Sequence, residues 1–307
     1  MDVDFFVQQL VNGLTLGSVY ALIALGYTMV YGILKLLNFA HGEVYMMGAF
    51  AGYGILTLFG GPLALTVPVG VLIVLMLVGA MVGAGFLGVL IERVAYRPLR
   101  NAPRIAPLIS ALGVAFFLQA SALLLFGADF RTYETYEYID LAKGIHWGPL
   151  HISIVRILVI LTSFALMIAL TLLVAKTRLG KAMRATAFDR EAAAMQGIDV
   201  DRVIVSTFLI GSALAGAAGV MVGLVFYKVF FLMGFLAGLK GFTAAVVGGI
   251  GSIPGAMLGG LLIGFAEAFI TGYVSSTFQD FFVFSILIAI LLVRPSGLLG
   301  RGDIQKV

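Results

Sequence analysis

The chain has 307 residues, is 61% hydrophobic and only 11% charged, carries a formal net charge of +4 and contains no cysteine. Soluble domains carry about 25% charged residues, so a soluble globular protein is excluded, as are disulfides and thiolate metal sites. A mean hydropathy of +1.11 and recurring uncharged runs specify instead an all-α, polytopic transmembrane helical bundle. A membrane barrel would alternate in segments of about ten residues, a pattern missing from this sequence.

In chain order, the first uncharged run is Phe5–Leu34. It follows Asp2 and Asp4, with no Lys or Arg before Lys35, which is the wrong flank for a cleaved signal peptide. It reads as an uncleaved first span. The stretch "LNFAHGE" then sets Asn38, His41 and Glu43 between apolar segments. Polar backbone at membrane depth must be shielded from lipid, so Asn38–Glu43 reads as a broken, protein-buried segment near a transport path. Val44–Ile91 is long enough for two spans of roughly 20 residues each. Glu92–Arg104 gathers Arg93, Arg97, Arg100 and Arg104 before the uncharged run Ile105–Ala128.

Asp129–His151 differs in charge. It has Arg131 and Lys143 against Asp129, Glu134, Glu137 and Asp140, together with Tyr133, Tyr136, Tyr138 and the only tryptophan, Trp147. Aromatics of this kind fit an interfacial belt. Ile157–Ala175 is uncharged, and Lys176–Arg202 follows with ten charged residues in 27 positions. Val203–Tyr227, Gly241–Ala266 and Phe281–Val293 complete the apolar runs, and the tail carries Arg294, Arg301 and Lys306. Lys and Arg accumulate in loops that stay cytoplasmic. The basic segments 92–104 and 176–202 and the tail are therefore expected inside, and 129–151 outside. The whole chain, 1–307, is expected to form one transmembrane domain with an external N-terminus. About nine spans fit, within a range of eight to ten; Lys35–Glu43 and Phe235–Pro254 are the segments expected to hold broken helices. The positive net charge is accounted for by these loops, and no nucleic-acid partner is implied.

Small residues four apart let helices approach closely in lipid. Gly211, Ala215, Gly219 and Gly223 form one such stripe, and Gly251, Gly255 and Gly259 another. Ordinary helix packing accounts for both before any sliding interface is invoked.

The charged island Lys176–Arg202 carries helix punctuation. Asp189 suits an N-cap and Glu191 the first turn. Ala192, Ala193 and Ala194 favour helix, Gly197 suits the left-handed position after it, and Ile198 the apolar contact beyond. Asp199 or Asp201 can cap the next span. The spacing predicts a helix of about two turns, with Phe188, Ala192 and Met195 on one face. Such a helix is marginal alone and needs something to pack against.

Motifs for chemistry are missing from the sequence. It has no phosphate loop and no His-Glu-x-x-His, and its three histidines, His41, His146 and His151, are scattered. No catalytic residue, metal site or cofactor is expected. An ion-coupled carrier would place acids within its spans. The candidates are Glu267 in "GFAEAFITG", the pair His41 and Glu43, and Lys240 in "GLKGF". For each, a structurally paired polar group is the simpler account.

Glu191-Ala192-Ala193-x-x-x-Gly197 resembles the coupling loop of ABC-importer permeases, although the Leu-Pro that follows in many such loops is missing. "LLNFAHGEVYMMGAF", "LKGFTAAVVGGIGSIPGAMLGG" and "LLVRPSGLLG" resemble the permeases of the high-affinity branched-chain amino acid ABC importers, the LivH type, and the resemblance covers nearly the whole chain. It implies a multi-pass permease of the bacterial inner membrane, paired with a homologous permease, two cytoplasmic ATPase subunits and a periplasmic substrate-binding protein. Such a permease would move leucine, isoleucine and valine inward by alternating access, with ATP hydrolysis in the partners. Glu191, Ala192, Ala193 and Gly197 would couple to the ATPase. Asn38, His41, Glu43, Lys240 and Glu267 are candidates for the path or gate. Related permeases handle urea or short amides, and an ion-coupled carrier or a passive channel are the competing classes.

Overall fold

The computed structural model describes residues 3–60, 68–100, 102–103, 105–133, 144–147 and 150–300. Helix α1 (Val3–Leu34) is the axis of the bundle, and every residue from Gly17 to Val30 is buried. A helix enclosed on all sides needs no polar face, which is why this one shows no amphipathic pattern. It ends at Lys35, a non-glycine residue with φ of 54°, whose N–H donates to the Tyr31 carbonyl at 2.8 Å. The chain then turns back, and α2 (His41–Gly60) starts beside the last third of α1 rather than at its end. The His41 ring occupies the space a side chain at Gly26 would fill.

Helix α3 (Val69–Ile91) runs into a π-helical turn at Glu92–Tyr96 and a 3-10 turn at Arg97–Leu99. After α4 (Ile105–Phe126) come three short strands, β1 (Arg131–Thr132), β2 (Gly144–Trp147) and β3 (Leu150–Ser153). The Ser153 hydroxyl caps α5 (Ile154–Lys176) by accepting from the Val155 N–H. Two short helices follow, α6 (Arg178–Phe188) and α7 (Arg190–Met195). Then come α8 (Val200–Phe226), β4 (Lys228–Val229), α9 (Met233–Gly248), α10 (Ile253–Tyr273) and α11 (Gln279–Val293). Strands β2 and β3 form an antiparallel hairpin, and β1 pairs antiparallel with β4.

Among the described residues, seven helices are long and apolar enough to cross a membrane: α1, α3, α4, α5, α8, α10 and α11 with its preceding turn. The 20-residue α2 and the 16-residue α9 pack within them. The candidate spans among the described residues thus number seven, against about nine expected, and α2 and α9 account for the difference. Residues on α4, α5 and α11 such as Phe116, Phe117, Leu124, Leu161, Ile168, Phe281 and Leu292 are exposed. A large apolar surface of this kind on the outside of a helical bundle is a lipid-facing surface.

The glycines allow backbones to touch. A Cβ on Gly264 of α10 would overlap the backbone of Gly17 in α1, and a Cβ on Gly48 of α2 would overlap Gly216 of α8. The two stripes have the same use, except that Gly251 lies in the turn before α10. Gly211 faces α1, Gly219 faces α2, and Gly255 and Gly259 face α9. Each meets a fixed backbone, so these are packing faces.

Three expectations are corrected. The island holds two helices rather than one: Thr177 caps α6 by accepting from the Gly180 N–H at 3.0 Å, and Gly180, Met183 and Thr186 form its inward face. The expected break across Phe235–Pro254 is confined to the turn between α9 and α10, where Gly249 and Gly251 have φ of 110° and 93°. Tyr133 does not sit in an interfacial belt. It is fully buried, donates its hydroxyl to the Ala49 carbonyl at 2.6 Å, and fills the space beside Gly223. Glu134, Tyr136, Glu137, Tyr138, Asp140 and Lys143 lie outside the described residues, as do Arg104, Arg301 and Lys306.

Two of the sequence motifs meet in space. The Leu298 and Leu299 N–H groups donate to the Val247 and Gly248 carbonyls at 2.9 and 2.8 Å. The "PSGLLG" tail thus closes over the end of α9, satisfying carbonyls that a helix C-terminus leaves free.

Candidate functional site

The interior break is built from Asn38 outward. Its side-chain oxygen accepts from the Ala40 N–H at 3.2 Å and lies 3.2 Å from the Tyr96 hydroxyl, which is also 3.1 Å from the Leu37 carbonyl. An asparagine that hydrogen-bonds the backbone two residues on is a turn device. Tyr96, on the π-helical turn after α3, thereby pins the returning chain. His41 packs edge-on against Tyr27, with ring centroids 4.8 Å apart. Glu43 occupies the first turn of α2, where the helix dipole favours an acid. Its carboxylate lies against Gly234 in the first turns of α9, and Gly42 packs on Gly238.

Glu43 is 3% and His41 1% exposed, and Glu43 Oε2 and His41 Nε2 have no hydrogen-bond partner among the described residues. A cavity of about 60 Å³ lined by Tyr27, Glu43, Phe116, Gln119 and Phe235 opens beside Glu43. Water takes about 30 Å³ per molecule, so this space has room for what the carboxylate lacks.

Lys240 and Glu267 form a second polar group. The Lys240 ammonium lies 2.8 Å from Glu267 Oε1 and 2.7 Å from Asp280 Oδ1, and the Tyr20 hydroxyl donates to Glu267 Oε2 at 2.9 Å. This cluster ties α9, α10, α11 and α1 together. No hydrogen bond or ion pair among the described residues joins it to Asn38, His41 or Glu43.

The island forms a hairpin at one end of the bundle. Asp189 accepts from the Glu191 and Ala192 N–H groups at 3.0 Å each. At the other end of α7, the Gly197 N–H donates to the Ala194 carbonyl at 3.0 Å and the Ile198 N–H to the Ala193 carbonyl at 3.1 Å. This pair of bonds, with Gly197 at φ of 80°, is a Schellman motif, and Ile198 supplies its apolar contact by packing on the core. Asp199, not Asp201, caps α8 by accepting from the Arg202 N–H at 3.0 Å.

The alanines divide. Ala193 is 4% exposed and packs into this chain, whereas Ala192 faces outward. Phe188 and Met195 flank it at 84% and 80% exposure. Arg190 points the other way and donates from Nε and Nη2 to the Ile33 carbonyl at 3.1 and 2.6 Å. Burial, and then the like charge of Arg100, hold this guanidinium below its ordinary range. The first residue of α7 is thus bonded to the last turn of the central helix, two residues before the break at Lys35.

Several participants do not stand out in the sequence. Arg100 bridges Glu92, which is fully buried, and Asp201, which also pairs with Arg97 at 2.6 Å. These arginines read as topology markers, yet two of them hold α3 to α8. Tyr96 carries no signal beyond being a tyrosine beside a basic run. Arg156 is a charge one position outside an uncharged run, and that isolation is the signal that could have marked it.

Comparison with known proteins bears on this arrangement. Residues 9–291 match the family model described as "Branched-chain amino acid transport system / permease component". The chain is 45% identical over 311 residues to the high-affinity branched-chain amino acid transport system permease protein LivH of Escherichia coli K12, covering 99% of this chain and 98% of that protein. It is 44% identical over 307 residues to BraD of Pseudomonas aeruginosa, a permease protein of the same description, covering 100% and 99%. A probable branched-chain amino acid transport permease of Methanocaldococcus jannaschii is 32% identical over 296 residues, covering 92% and 89%. No solved structure matches the chain. With a family match over residues 9–291 and 44–45% identity along nearly its whole length to such permeases, the chain belongs to the branched-chain amino acid transport permease family.

Proposed function

We propose that this chain is the transmembrane permease subunit of an ATP-binding-cassette importer for leucine, isoleucine and valine. The observation that carries the reading is the similarity along 99% of the chain to permeases named for branched-chain amino acid transport. The sequence has no phosphate loop, so the energy must enter from other subunits. The island is where it enters. Phe188, Ala192 and Met195 form an apolar face on a hairpin otherwise rich in charge, a fit for a groove on a cytoplasmic ATPase. Ala193 and Gly197 set the angle of α7 from within, and Glu191 sits at its start.

The basic island lies on the cytoplasmic side of the bacterial inner membrane and 129–151 on the periplasmic side. A second, homologous permease, two ATPases and a periplasmic binding protein complete the complex. Movement of α7 passes through Arg190 to the Ile33 carbonyl, and from there to the break that carries Asn38, His41 and Glu43. That break serves as the gate. Glu267 is engaged by Lys240 and Tyr20, which supports a structural role for it rather than ion coupling.

The test is to co-purify the complex into liposomes with ATP inside. The expected result is uptake of leucine that requires the binding protein and ATP, competed by isoleucine and valine but not by urea or acetamide. Uptake by the permease alone, driven by a proton or sodium gradient, would replace this reading with that of a carrier.

A further inference from the structure

At the end of the bundle opposite the island, α1, α5, α8 and α10 surround a cavity of about 340 Å³. That volume lies within the usual range for small-molecule sites. One wall is polar. Arg156, in the first turn of α5, donates from Nη1 to the Asn12 side-chain oxygen. Asn12 in turn donates from Nδ2 to Gln9 Oε1 at 3.2 Å, so its oxygen is held toward the guanidinium. Leu16, Val225, Phe226 and Ala268 supply apolar lining, alongside Tyr20 and Glu267.

Arg156 differs from the basic residues that are ion-paired. Lys240 takes two carboxylates, and Arg97, Arg100 and Arg202 each take at least one. Arg156 has no carboxylate within ion-pair distance among the described residues, although it is partly buried among spans. A partly buried charge without an ionic partner is costly, which makes it a candidate contact for an ionised cargo. A guanidinium offers five N–H donors in a planar fork that matches a carboxylate, and one neutral amide leaves most of them free.

We propose that this cavity is a transient station for the cargo, in which Arg156 receives the α-carboxylate and the α8 wall receives the aliphatic side chain. The inference rests on the amino acid import proposed above and adds the site that reads the cargo within the permease. Glu267 also lines the cavity, where it is engaged by Lys240 and the Tyr20 hydroxyl.

The test uses the complete complex in liposomes, with subunit stoichiometry as the assembly control, and three variants. Arg156→Gln removes the charge. Arg156→Lys keeps it without the fork. Asn12→Asp supplies a fixed carboxylate where the cargo's would sit. The expected result is a fall in leucine uptake of at least tenfold for Arg156→Gln and Asn12→Asp, with Arg156→Lys intermediate. Diazirine-bearing leucine should label peptides containing Leu16, Val225 or Phe226 in the wild-type complex and lose that labelling in both severe variants.

An assembled Asn12→Asp complex with wild-type uptake and labelling would overturn the proposal, because a purely structural arginine gains from that carboxylate. Wild-type uptake in assembled Arg156→Gln would do the same. Should Arg156→Gln fail to assemble, an assembled Asn12→Asp complex that does not transport still supports the site. A wild-type complex that imports no branched-chain amino acid would instead remove the substrate reading, and the station with it.

Discussion

Replacing Lys240 with Met should cost the protein its assembly. Lys240 and Glu267 side chains are 8% and 7% exposed, and Lys240 also meets Asp280. Removing one partner of a buried pair leaves the other charge uncompensated, which costs about 3–5 kcal/mol. Whole domains are stable by only about 5–15 kcal/mol. After the change Glu267 would keep a single donor, the Tyr20 hydroxyl. The expected outcome is a sharply lowered yield and melting temperature in detergent. The double variant Lys240→Met, Glu267→Gln should recover most of both, since replacing the whole pair is far less costly than breaking it. A single variant as stable as wild type would mean that the pair is not holding α9 to α10.

The second large effect is expected at Arg190. Its guanidinium makes two hydrogen bonds to the Ile33 carbonyl, while α7 itself is held by the Asp189 cap and the Schellman motif at Gly197. Arg190→Ala should therefore leave the hairpin folded and the ATPase bound, but detach α7 from α1. Charge-assisted bonds are worth about 1.5–3 kcal/mol each, and one such loss corresponds to at least tenfold in an equilibrium. Leucine uptake per ATP hydrolysed should fall about tenfold, with hydrolysis persisting. Arg190→Lys, with no fork, should lie between. Equal losses of hydrolysis and uptake would instead assign Arg190 to docking.

Much of this architecture is legible in the sequence for identifiable reasons. Long uncharged runs report spans because lipid tolerates little else. The Asp189 and Gly197 punctuation predicts α7 because caps and left-handed glycines are local requirements. The turn at Asn38 is legible for the same reason. What the sequence withholds depends on pairing across the bundle. Nothing local distinguishes Ala192 from Ala193, since which alanine faces inward depends on how α7 sits against α8. The ion pair between Lys240 and Glu267 spans 27 positions and that between Arg100 and Asp201 spans 101, so their residues read singly as ambiguous charges. Helix α6 is hidden by its charge: Lys181 and Arg184 make it look like loop, whereas its inward face is only Gly180, Met183 and Thr186.

The docking role of the island is open to one direct measurement, helped by a chain that contains no cysteine. Single cysteines at Phe188, Met195 and Ala193 are compared for cross-linking to the ATPase subunit in the assembled complex, using a short thiol reagent and single-cysteine ATPase variants. Phe188→Cys and Met195→Cys should cross-link efficiently, because those side chains are exposed on the outward face, and Ala193→Cys should not, because that position is buried within the permease. Complexes that transport leucine normally, yet cross-link at neither Phe188 nor Met195, would contradict the docking role and leave the island as a solvated connection.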